Sequence, residues 1–230
     1  MRKSPSPPII LATIDGDPGA SSWIPPVTDE EWRRWKKYYE CAVKVLFDIF
    51  DTAGLIGKIT WFLNEVDVRW THNFPYLLDA ILERGDTVGL HSHFGGIFGR
   101  PIVSTFKDVL AVCKAGKEEL EAYLGGRKIK LHRSGCFRQT ATIYEVLKTL
   151  GFNVVSDVNP GRKTLDAEGH ILDNSTIPLS AVPWRHDVSN WLDYRSTEGW
   201  FLHIPVTAEG IDAMTKLTER VIKHNIHIVC

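Results

Sequence analysis

Two histidines at spacing two, His91 and His93, close an apolar run, Thr87–Val88–Gly89–Leu90–His91–Ser92–His93, that leads into Phe94–Gly95–Gly96. The run reads as a buried strand ending in a glycine-rich loop, and side chains two apart on a strand point to the same face. Both imidazoles therefore project together, close enough to share one ion. Neutral imidazole offers a nitrogen lone pair near pH 7, which makes histidine the commonest protein metal ligand. A third, anionic ligand is available early in the chain. There Ala12–Thr13–Ile14–Asp15–Gly16–Asp17–Pro18–Gly19 ends another apolar run in two carboxylates, again at spacing two. Two histidines plus one carboxylate, with open positions, is a ligand set of catalytic zinc and of non-haem iron. The chemistry indicated is that of a metal-dependent hydrolase.

Strands must carry these residues, and the chain supplies them in alternation with helices. Ile9–Ile14 is a continuous β-branched and apolar run, suited to a strand buried on both faces. Thr28–Asp29–Glu30–Glu31 is a capping-box pattern opening a helix whose apolar positions recur at three and four, with Gly54 as its stop. Lys58–Leu63 is the next strand, Pro75 to Arg84 a short helix ended by Gly85, and the histidine strand follows. Ser104 caps a helix to about Leu124, Lys128–His132 is a strand with Arg133–Phe137 as its exit, and Thr140 or its neighbours cap a helix to Leu150. Phe152–Ser156 is a further strand. Periodicity then fades from Asn159 to Tyr194 apart from Ile177–Val182, and this segment suits hairpins and an active-site wall. Trp200–Val206 is a strand, Ala208–His224 a helix and Ile226–Val229 a last strand.

Strand–helix alternation of this kind means βαβ units and a mainly parallel sheet, closed or nearly closed. The expected fold is therefore α/β, a distorted or incomplete (β/α) barrel with mainly parallel strands. Residues 1–230 read as a single catalytic domain, with 1–8 a flexible tail and 159–199 an irregular wall. In parallel barrels ligands gather at the C-terminal ends of the strands. Asp15 and Asp17, His91 and His93, Arg133 and His203 all fall at such ends.

Composition bounds the partners. The 230 residues are 43% hydrophobic and 24% charged, ordinary for a chain with a real core. A net charge of −1 without a basic run argues against nucleic acid. Eight tryptophans is a high count, and aromatic faces stack on sugar rings, so a carbohydrate ligand is in view. Cys41, Cys113, Cys136 and Cys230 show neither a disulfide framework nor a CxxC zinc knuckle. No stretch approaches the ~20 apolar residues of a membrane span, and the N-terminus leads into prolines rather than a signal core. A reducing, cytoplasmic compartment is expected. Nothing in the sequence fixes the oligomeric state.

The same residues carry a resemblance. The chain is similar to the polysaccharide deacetylases, the NodB-homology domain, over roughly residues 8 to 160. Thr13–Asp17 matches the family's D-x-D first motif, and Gly85-Asp-Thr-Val-Gly-Leu-His91 its G-x-x-x-G-x-H pattern. Arg133-Ser-Gly-Cys-Phe137 matches the third motif, and Leu147–Phe152 running into Ser156–Asp157–Val158 matches the stretch after it. The resemblance implies a distorted α/β barrel in which Asp15 is the general base, Asp17 and His91 are metal ligands, and Arg133 steadies the base. It also implies that backbone N–H near Phe137 helps hold an oxyanion. Two departures stand out. The family's second histidine would fall at Gly95, so the H-x-H spacing makes His93 the third ligand. Its general acid is a late histidine after the last strands, and the sequence ends at Cys230, so His203 is the substitute and His186 the reserve.

The expected reaction is removal of an acyl group, an N-acetyl above all, from a carbohydrate, with Zn2+ as the first-choice divalent metal and cobalt, nickel, manganese or iron as others the ligands accept. Plainer readings exist for each residue. A lone H-x-H is more often two satisfied histidines, and Asp15 and Asp17 could cap a loop through Asx-turns. Arg133 could be an ordinary ion-pair partner. His203, between Leu202 and Ile204, reads first as a hydrogen-bonded core histidine, and Cys136 as a small packed residue. Trp184 and Trp191, in the irregular segment, are the sugar-stacking candidates. Two other functions compete: a glycoside hydrolase of related fold pairing Asp15 with Glu65 or Asp67, and a non-catalytic carbohydrate-binding remnant of the deacetylase fold.

Overall fold

The computed structural model describes residues 12–16, 29–63, 75–94, 102–165 and 171–206. In chain order they form β1 (Ala12–Gly16), α1 (Asp29–Thr52), β2 (Ile59–Leu63), α2 (Pro75–Glu83), β3 (Thr87–Ser92), α3 (Phe106–Tyr123), β4 (Leu131–Ser134), α4 (Ala141–Thr149), β5 (Val154–Val155), β6 (Lys163–Leu165), β7 (Ile171–Asp173), β8 (Trp184–His186) and β9 (Phe201–His203). One sheet runs β1-β2-β3-β4-β5-β9-β8. All neighbours in it are parallel except β8, which pairs antiparallel with β9. Among the described residues the sheet ends on β1 and β8 without closing, an α/β fold in the form of an incomplete barrel. Strands β6 and β7 make a separate antiparallel hairpin.

One face of each strand packs against helices. Trp61 and Leu63 of β2 join Val88 and Leu90 of β3 there, with Val43 of α1, Val109 and Leu120 of α3, and Ile143 and Leu147 of α4. Phe47 and Phe50 of α1 meet Trp61 edge to face, at 5.5 and 6.5 Å between ring centres. Asp86 ties the base of β2 by accepting from Ile59 N at 3.3 Å and from Trp61 Nε1 at 3.1 Å. The opposite, inner face is left for polar groups.

Helix starts follow local chemistry. Thr140 caps α4 by accepting from Ile143 N at 3.2 Å, and Thr105 caps α3 by accepting from Asp108 N at 3.3 Å. The α3 cap is thus one residue later than Ser104. Strand β4 also begins later than Lys128. Ile129 N donates to the Glu121 carboxylate at 2.9 Å and Ile129 O accepts from Lys117 Nζ at 2.9 Å, so side chains satisfy that peptide before the ladder can. The strand also runs on to Ser134, two residues past the expected end, so Arg133 lies inside it with its direction fixed. Expected elements at 208–224 and 226–229 lie outside the described residues. No helix among the described residues is long and apolar enough to cross a membrane. Neither Cys113 nor Cys136 forms a disulfide.

Candidate active site

Register decides which side chains meet on the inner face. Asp15 lies beside Phe62, Phe62 beside Gly89, and His91 beside Arg133. Alternation then gathers Thr13, Asp15, Phe62, Gly89, His91 and Arg133 on one side, away from the helix-facing core. Arg133 is the centre of this group and only 3% exposed. Its Nη1 donates to Asp15 Oδ1 at 2.6 Å, and its Nη2 to Thr13 Oγ1 at 3.0 Å and Ser156 Oγ at 2.9 Å. Its Nε donates to Ser156 O at 3.1 Å, while the guanidinium carbon stands 4.2 Å from the centre of the Phe62 ring. A planar fork of donors filled in this way has one orientation, and its charge is matched by a carboxylate. Asp15 keeps 31% of its side chain exposed, so it is held from below and open above.

His91 is buried, and its Nδ1 lies 3.0 Å from Arg133 O. A carbonyl can only accept, so Nδ1 carries the proton and Nε2 carries the lone pair. A proton pinned in this way is what orients metal-binding histidines. The His93 ring stands 4.6 Å from that of His91, at 86°. Gly135 makes room for it: a Cβ at that position would come within 2.3 Å of His93 Nδ1. The next two residues, Cys136 and Phe137, both adopt left-handed backbone (φ 54 and 56), which turns the chain sharply after β4 and places Phe137 at the strand end. The two imidazoles thus stand together at the end of β3. Asp17 lies outside the described residues, as do Glu65 and Asp67. Among the described residues no three His, Cys, Asp or Glu side chains gather closely enough to hold a metal.

Two expected site residues belong elsewhere. His203 is fully buried and uses both ring nitrogens. Its Nε2 accepts from Asp157 N at 3.3 Å and Val158 N at 3.1 Å, so its proton sits on Nδ1, 3.1 Å from His186 Nε2. His186 Nδ1 in turn donates to Asp187 O at 2.8 Å. This is a closed chain of neutral imidazoles, and burial lowers both pKa values. His203 holds β5 to the β8–β9 pair and is not the proton donor expected of it, and the reserve, His186, is consumed in the same chain. Trp184 is 3% exposed, stacked on the His203 ring at 4.4 Å, with its Nε1 donating to Trp191 O at 3.1 Å. It is a core residue rather than a sugar platform, because β8 turns it inward onto Val158 and Ile177.

Several neighbours were not singled out from the sequence. Ser156 and Thr13 fill the Arg133 fork, and Phe62 lies under it. Asp157 braces the turn after β4: its Oδ1 accepts from Ser134 N at 2.6 Å and its carbonyl accepts from Gln139 Nε2 at 2.5 Å. Burial pushes the Asp157 carboxyl up to about 7 against the pull of Ser134 and Arg133. Ser156 and Asp157 stand in a stretch whose pattern resembles the deacetylases, the one signal that could have found them. Phe62 reads as one more core aromatic.

No protein-family model matches the chain, and no curated protein matches it. Solved structures do. The crystal structure of a "putative polysaccharide deacetylase from Mycobacterium smegmatis" superposes with a TM-score of 0.55 at 16% identity, covering 86% of this chain and 58% of that one. A second, from Bordetella bronchiseptica and described as a "putative polysaccharide deacetylase involved in o-antigen biosynthesis", gives a TM-score of 0.43 at 16% identity over 71% of this chain and 50% of its own. The first match shows a shared fold, the incomplete α/β barrel. The chain spans 58% of the length of the first structure and 50% of the second.

Proposed function

We propose that the protein is a metal-dependent hydrolase that removes an acyl group, most readily N-acetyl, from a carbohydrate. The observation that carries the reading is the Arg133–Asp15 pair, 2.6 Å apart on strands β4 and β1, beside an imidazole whose proton is pinned by Arg133 O. A buried arginine spent on orienting one half-open carboxylate is what a positioned base requires. The fold shared with the mycobacterial deacetylase-like structure agrees with it.

In this reading His91 and His93 hold the ion with Asp17, and zinc is the first choice for such a nitrogen and oxygen set. The ion, when bound, supplies Lewis-acid polarisation and an acidified water. Asp15 takes the proton of the attacking water, with Arg133 fixing the carboxylate's rotamer. Backbone N–H in the left-handed Cys136–Phe137 turn faces the charge that develops on the acyl oxygen. The protonated Asp15 then passes that proton to the leaving amine nitrogen as the C–N bond breaks, and His203, whose two ring nitrogens are both engaged, has no part in the delivery.

The test is acetate release from N-acetylated sugar oligomers by protein stripped with chelator and reloaded with zinc. Metal-restored release supports the reading. Sugar binding without release in the reloaded protein replaces it with the carbohydrate-binding remnant.

A further inference from the structure

We propose that Phe62 is a positioning residue: its ring is the platform on which the guanidinium of Arg133 is held in line with Asp15, and Gly89 is the gap that admits the ring. The inference rests on the hydrolase reading for its functional meaning, but its geometry stands apart from it.

Phe62 lies beside Asp15 on one flank and Gly89 on the other. Its ring leans over β3. A Cβ on Gly89 would come within 2.8 Å of Phe62 Cε1 and 2.9 Å of Cδ1, so any other residue there would drive the ring away. Leaning across that gap brings the ring centre to 4.2 Å from the guanidinium carbon of Arg133, a residue of the next strand over. The need for a platform follows from reach. Arg133 stands on β4 and its partner carboxylate on β1, with two strands between them. A long side chain stretched over that interval has four torsions to freeze.

The edges of the guanidinium are taken by Asp15, Thr13 and Ser156. Edge contacts fix it in its own plane. They do not stop it lifting out of that plane, and the flat ring does. The attraction is also electrostatic, between cation and ring quadrupole, and it is strongest where water is excluded. Both groups are almost fully buried, at 3% and 2% exposed. An aliphatic side chain would fill the volume without supplying a face.

The test keeps shape and removes charge distribution. Phenylalanines carrying one, two and three ring fluorines are installed at position 62 in the full chain, with Phe62→Leu and Phe62→Tyr alongside. Nitrogen-15 spectra of the arginine guanidinium groups report ordering of Arg133, whose signals are identified by their loss in Arg133→Lys. Stepwise fluorination is expected to speed rotation and solvent exchange of the Arg133 Nη groups. Phe62→Tyr should leave them as in the wild type and Phe62→Leu loosen them most. In the acetate assay kcat should fall about tenfold across the series, with KM within about twofold.

Arg133 signals that ignore fluorination overturn the platform, even in an active enzyme. Signals that loosen on schedule in a protein that releases no acetate leave the platform standing and overturn the hydrolase reading instead. Should the Phe62→Leu variant fail to fold, the isosteric fluorinated series still decides.

Discussion

The guanidinium of Arg133 donates to the Asp15 carboxylate at 2.6 Å although 118 residues separate them in sequence. Three strand-to-strand registers, β1 to β2, β2 to β3 and β3 to β4, have to be right for that bond to form. It is therefore both a measure of the fold and the base of the proposed chemistry.

If Asp15 is the base, Asp15→Asn keeps an acceptor for Arg133 and loses proton uptake. Turnover in the reloaded protein should fall by at least about 100-fold, with zinc stoichiometry unchanged. Turnover within tenfold of wild type removes Asp15 from the role.

Gly135→Ala puts a methyl group where the His93 imidazole now lies. The ring must move, while Asp15 and Arg133 keep their contacts. Zinc affinity by calorimetric titration should drop about tenfold or more. An unchanged affinity would strike His93 from the ligand set and leave His91 to be completed by other residues.

For His203 the expectation is structural. His203→Gln loses the double acceptor that receives Asp157 N and Val158 N and breaks the link to His186, at a cost of about 1–3 kcal/mol in urea unfolding. Turnover per folded molecule should change less than about threefold. A far larger loss in a folded variant would restore His203 as a proton donor.

His132 lies across β4 from Arg133, on the helix side. It is fully buried, it sits 5.4 Å from the Phe152 ring, and neither ring nitrogen has a hydrogen-bond partner among the described residues. Burial takes its pKa from 6.5 down to about 3. Between those values the unfolded chain binds a proton that the folded chain refuses, so stability falls as pH drops through that window. His132→Leu should remove this acid loss and be neutral or stabilising at pH 7, since an unpaired buried polar ring is replaced by an apolar group. Urea midpoints from pH 4 to 8 check it, and an acid limb as steep as the wild type's sinks it.

Asp157 works with the opposite sign. Its carboxyl is raised from 3.8 to about 7 by burial, so the folded state holds a proton that the unfolded state has released. Its contribution is complete below pH 3.8 and is lost as pH rises through about 7. Asp157→Asn should flatten the stability profile over that interval and gain on wild type above pH 7. A profile that still falls in parallel with wild type assigns the slope to another group.

Sequence alone determined what depends on local period and local chemistry. A spacing of two on an apolar run places His91 beside His93 and Thr13 beside Asp15, whatever surrounds them. Threonine at 140 caps a helix through its own hydroxyl, and Gly85 ends one. The alternation of strands with helices was enough for a mainly parallel α/β sheet. Tertiary structure decided everything that depends on which distant strands lie side by side. His203 and Trp184 stand at strand positions that could open onto a site or close into a core, and no local pattern separates the two. Packing of β8 on β9, and of β9 on β5, turned both inward. Phe62 shows the reverse case, an ordinary strand aromatic that acquires a role because a glycine on β3 lets it reach an arginine on β4. Side-chain period is a property of one strand, whereas register and burial belong to the assembled sheet, and the candidate site is made of register.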